Sequence, residues 1–223
     1  MRISMEKSEQ SNSAETAKGA SSRHLSLQVN SKLIPLFFQL LGQGFSVDIQ
    51  TGATVKDLLC NQLGIHEDYL AQRIQTIFLN AKVVDDINIA LIAEGSTLAL
   101  SGAMPGLVGA ILRSGGYYAV MRNQLSHVES GPSSQAQSAK ITLKLLNIVA
   151  KELGPVFLQQ GIRLKGQTLR EFVEHRTDDL KAGCMACELD GKPVELNNLR
   201  EINWRDDMVL VQVYSEALGR ATH

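Results

Sequence analysis

The same succession of local signals occurs twice along this chain. An internal repeat constrains the fold more than any single motif, because each copy must bury the same kind of apolar face. Leu25, Leu27 and Val29 alternate as a half-buried strand does, and Ile141, Leu143 and Leu145 do the same. After each comes an apolar stretch that cannot hold strand alternation, residues 33–42 in one copy and 147–154 in the other. A glycine then opens a second alternating strand: Gly44 before Phe45, Val47 and Ile49, and Gly161 before Ile162 and Leu164. Thr54 and Thr168 stand where a hydroxyl caps a helix, the second with Glu171 following as a capping box. Apolar residues then recur at helical spacing, Val55, Leu58, Leu59 and Leu63 in the first copy, Leu169, Phe172 and Val173 in the second.

The third parts match best. Phe78-Leu79-Asn80-Ala81-Lys82-Val83-Val84 lies opposite Glu188-Leu189-Asp190-Gly191-Lys192-Pro193-Val194. Asp-Gly, and more weakly Asn-Ala, supplies the positive-φ pair of a tight hairpin. Glu94-Gly95-Ser96-Thr97-Leu98 and Asp206-Asp207-Met208-Val209-Leu210 each launch a closing strand. The unit is thus strand, strand, helix, hairpin, closing strand. A two-stranded ribbon buries little alone, so the helix must pack across one sheet face.

The predicted fold class is α+β, in two units with separate cores, which the length of 223 residues accommodates. Residues 24–102 form the first unit and 140–216 the second. Residues 1–23 read as a polar, disordered leader without the apolar core of a secretory signal. Residues 103–130 are a Gly-rich apolar insert, 131–139 a polar linker rich in breakers, and 217–223 a C-terminal tail.

These residues together resemble the β-grasp, ubiquitin-like superfamily. Within it the chain looks most like the sulfur carriers, the small subunit of molybdopterin synthase and the thiamine-pathway carrier. The second copy carries the closer likeness, through Ile141 to Leu145, Val149 to Gly154, Gln167-Thr168-Leu169 and Asp190-Gly191-Lys192. The resemblance implies two tandem β-grasp domains. Carriers of that family end in a Gly-Gly whose carboxylate is adenylated, and this chain ends Gly219-Arg220-Ala221-Thr222-His223 instead. Processing after Gly219 would leave one terminal glycine; the other reading is a frayed tail with a chance glycine.

The insert has no counterpart in the second copy. Met104, Tyr117 and Tyr118 would suit an arm docking on a partner, and Gly115-Gly116 reads as a relic of a carrier tail. Alternatively the insert folds back as a short helix over an open sheet face.

Cys184-Met185-Ala186-Cys187 is a lone Cys-x-x-Cys, with His175 the nearest further zinc ligand. Its readings are small buried cysteines, a redox pair, or half of an intermolecular metal site. The odd spacing sends the two side chains to opposite faces of a strand unless a turn intervenes. His24, His66, His127 and His223 make no triad or metal spacing, Asp85-Asp86 and Asp206-Asp207 read as turn carboxylates, and Trp204 as the edge of the second core or a binding hot spot. No catalytic set and no cofactor motif is readable.

Lys plus Arg number 22 against 23 Asp plus Glu, so no net field points to nucleic acid or an anionic membrane. No apolar run is long enough to span a bilayer. With three cysteines, the expected setting is the cytoplasm. The expected function is a non-catalytic protein-interaction module related to the sulfur carriers. The alternative is a ubiquitin-like modifier or carrier precursor, activated by an adenylating enzyme after processing near Gly219.

Overall fold

Alternation at Leu25, Leu27 and Val29 produces β1 (Arg23–Val29), with those three side chains in the core. A 3-10 turn (Ser31–Phe37), capped by Asn30 through a 3.1 Å bond from the Leu33 amide, runs into α1 (Phe38–Gln43). Gly44, at φ 112°, redirects the chain into β2 (Phe45–Gln50). The computed structural model describes residues 23–103, 137–204 and 208–215.

In the first repeat Thr54 caps α2 (Val55–Asp57), accepting from the Asp57 amide at 3.1 Å. That helix loosens into one π turn (Leu58–Gln62), and α3 (Glu67–Arg73) starts only after Gly64. Next come β3 (Thr76–Leu79) and β4 (Lys82–Val83), then the closing strand β5 (Thr97–Ser101). Asn80 and Ala81 join β3 to β4 at φ 51° and 65°.

The second repeat runs β6 (Ser138–Leu146), α4 (Asn147–Gln160), Gly161 at φ 99°, and β7 (Ile162–Lys165). Its long helix, α5 (Gly166–Gly183), is continuous. Then follow β8 (Cys184–Leu189), the turn Asp190-Gly191 at φ 54° and 75°, β9 (Lys192–Pro193), a 3-10 turn (Leu196–Arg200), and β10 (Met208–Ser215).

The capping box at Thr168 does not form. The helix begins earlier, at Gly166, with Lys165 in the cap position, and Glu171 accepts from Gln167 Nε2 at 3.0 Å. The cause is upstream: β7 stays paired to β10 as far as Lys165, opposite Met208, leaving no turn to set Thr168 as a cap. In the first repeat a turn through Gly52, at φ 79°, provides that spacing for Thr54.

The ten strands lie in one sheet, ordered β4-β3-β5-β6-β2-β7-β10-β1-β8-β9. Each repeat's first strand stands among the other repeat's strands. β6 runs parallel to β5 and antiparallel to β2, while β1 runs parallel to β10 and antiparallel to β8. Between the halves, β2 and β7 share the single register pair Ser46 and Arg163, reinforced by the Arg163–Asp48 ion pair at 2.8 Å.

Two crossings follow from this exchange, through α1 and α4, and these helices pack on each other. Phe37 meets Phe172 with ring centroids 5.4 Å apart, and Phe45 meets Phe157 at 5.5 Å, each pair joining one repeat to the other. Where the sequence suggests two cores, the buried side chains of both repeats form one cluster. At the sheet's ends stand β4 and β9, two residues each and exposing Lys82, Lys192 and Pro193. Short strands carrying lysine and proline resist pairing with another chain's strand.

Candidate binding cleft

The first repeat's broken helix leaves open a space whose counterpart in the second repeat is filled. On the second repeat, the 3-10 turn packs onto α5: Arg200 Nε donates to Thr177 Oγ1 at 2.7 Å and Arg200 Nη2 to the Glu174 carbonyl at 3.3 Å. Trp204, 2% exposed, seals this side by donating its indole N–H to the Leu199 carbonyl at 3.1 Å. It belongs to the core, with the Arg23 guanidinium 5.6 Å from its ring centre.

On the first repeat, the loop after β4 is tied to the start of α2 instead. The Val55 amide donates to the Ala90 carbonyl and the Lys56 amide to the Ile87 carbonyl, both at 2.9 Å. These carbonyls satisfy amides that a helix start leaves without partners. Asp86 shapes the loop by accepting from the Asn88 backbone and side-chain amides, each at 2.8 Å, and these bonds hold its carboxyl below the usual range.

A cleft of about 520 Å³ lies between that loop and α3. Leu70, Ile74, Ile77 and Ile87 give it apolar walls, and Lys56, Glu67, Asp85 and Asn88 line it as well. Lys56 Nζ and Glu67 Oε1 stand 3.3 Å apart. Gln75 also lines the cleft; its side-chain Oε1 is buried and has no hydrogen-bond partner among the described residues, while its backbone amide is anchored to the Ser101 carbonyl at 3.0 Å.

The far side of α3 is held by the second repeat. Glu152 of α4 accepts from Tyr69 Oη at 2.9 Å, from Arg73 Nε at 3.0 Å and from Arg73 Nη2. Arg73, then Tyr69, keep the Glu152 carboxyl below the usual range; burial, then Glu152, raises the Tyr69 phenol. An apolar cleft with a charged rim can hold an apolar side chain flanked by polar groups. Its size falls in the range of ligand sites, roughly 300–1,000 Å³.

The sequence-derived candidates lie elsewhere. Met104, Gly115, Gly116, Tyr117, Tyr118 and Gly219 are outside the described residues, as are Asp206-Asp207. Cys184 and Cys187 both lie in β8, with no turn between them. A register shift there sets Cys184 opposite Val29 and Cys187 opposite Leu27, so Met185 is the extra residue of a bulge. Leu27 and Val29 face the same way, so the bulge returns both thiols to one face, which spacing alone forbids. Burial raises Cys184 and pushes Cys187 up to about 12, opposite to the lowered thiol that redox exchange uses. His175 spends its Nδ1 on the Glu171 carbonyl at 2.7 Å within α5. Among the described residues no group of three or more His, Cys, Asp and Glu could hold a metal ion, and no helix is long and apolar enough to cross a membrane.

The cleft escaped the sequence reading. Its signal was the unequal helix length of the two repeats, with Gly64 interrupting the first where the second runs on to Gly183. Comparisons with known protein families, curated proteins and solved structures find no match to this chain.

Proposed function

We propose that this chain is a non-catalytic protein-interaction module, related to the sulfur carriers through a half-sheet of β-grasp strand order, and that its partner docks in the cleft beside α3. The observation that carries the reading is the combination of apolar walls at Leu70, Ile74, Ile77 and Ile87 with the charged groups Lys56, Glu67 and Asp85 at the same cleft. The blunt edges at β4 and β9 support the same choice, because they disfavour binding by strand addition. The β-grasp description is supported by the first half of the sheet. There β6 and β5 form a central parallel pair, flanked by β2 on one side and by the β3–β4 hairpin on the other.

Position-specific photo-crosslinking in the native cells tests this. A photoreactive residue at Gln72, on the cleft, is expected to give a discrete adduct that Ile87→Asp abolishes. The same residue at Lys192, on the β9 edge, is expected to give none. Adducts from Lys192 with none from Gln72 would overturn the reading.

A further inference from the structure

The charge around the cleft is one-sided although the chain as a whole is nearly neutral. Residues 55–73 and 84–92 carry five carboxylates, Asp57, Glu67, Asp68, Asp85 and Asp86, against two cations, Lys56 and Arg73. Both cations are already engaged, Lys56 by Glu67 and Arg73 by Glu152. Among the described residues Asp57 accepts from the neutral amides of Asn61 and Gln62, at 2.7 and 3.3 Å, and Asp86 accepts from Asn88. Asp68 and Asp86, which are exposed, add negative charge that faces the solvent beside the cleft's apolar walls.

We infer that the partner presents a peptide segment in which apolar side chains are flanked by lysine or arginine, the apolar side chains entering between Ile77 and Ile87 and the cations meeting the acidic rim. This rests on the cleft being the docking site. Charge complementarity of this kind selects partners and speeds encounter, and salt screens it. A segment flanked by aspartate or glutamate would meet like charge and be rejected.

The test uses the full chain with labelled isoleucine methyls, titrated with two synthetic peptides that carry the same leucine pair. One is flanked by lysines, the other by aspartates. The lysine peptide is expected to shift the Ile77 and Ile87 methyls, with affinity falling about fivefold as salt rises from about 0.05 to 0.3 M. The double substitution Glu67→Gln, Asp68→Asn is expected to weaken it about threefold and flatten the salt dependence, while the methyls of Ile141 and Ile162, in the core away from the cleft, keep their peptide-free positions. Equal shifts from the aspartate peptide would overturn the charge inference and leave the docking site standing. If neither peptide moves these methyls, the docking site falls with it.

Discussion

Asp190 grips the first residues of β1 from the far end of the chain: its Oδ1 accepts from the His24 amide at 2.8 Å, and its own amide donates to the His24 carbonyl at 2.8 Å. Asn80 makes the same exchange with Thr97 at the start of β5, with both bonds at 2.9 Å. The first residue of each hairpin turn therefore caps the strand beside its hairpin. In the first repeat that strand is the repeat's own β5; in the second it is β1, brought in from the other repeat.

The matched caps make Asp190 testable. Asp190→Ala is expected to lower stability by about 0.5–1 kcal/mol, the low end because the side chain is half exposed, and Asp190→Asn by less, since an amide oxygen serves Asn80. Urea midpoints check both. The His24 amide, then Arg23, holds the Asp190 carboxyl below its ordinary value of 3.8. Its contribution is therefore complete above that value and lost as pH falls through the lower folded one. Asp190→Asn is expected to remove this share of the acid sensitivity.

Gly154 marks where the two crossing helices touch. A Cβ there would stand 2.6 Å from Leu41 Cδ1 and 3.2 Å from Phe38 Cε1. Gly154→Ala gains about 1 kcal/mol of helix propensity and gives most of it back in the crowding, so it is expected to be nearly neutral. Gly154→Val is expected to cost about 1–3 kcal/mol. A stabilising Gly154→Val, read by thermal denaturation, would mean that the helices do not pack here.

Ala81 sits at φ 65°, a region costly for any side chain, where the second repeat has Gly191 at φ 75°. Ala81→Gly is expected to raise stability by about 0.5–1 kcal/mol, after the greater freedom of glycine in the unfolded chain is deducted. Chemical denaturation of the variant checks it.

What the sequence could and could not reveal follows from the reach of each signal. Gly44 and Gly161, Thr54, and the turns at Asn80-Ala81 and Asp190-Gly191 act on their own few residues, and they appear where expected. Alternation in β1 and β6 tells which side chains face the core, but the apolar faces of Leu25 and Leu143 would fit either half of the sheet, so the neighbours stay open. The exchange of first strands is a choice among such equal fits. The bulge at Met185 and the break at Gly64 each depend on packing across the chain. The first altered which face Cys184 presents, and the second opened the cleft.

The exchange itself is tested most directly by equilibrium urea unfolding followed with two probes. Trp204, the single tryptophan, reports the packing of the second half of the sheet, and far-ultraviolet circular dichroism reports the secondary structure of both. Because β1 and β6 lie in each other's halves and one core joins them, both probes are expected to follow one coincident transition with the same midpoint. A dichroism signal that falls in two steps, with Trp204 following only one of them, would contradict the interlocked fold.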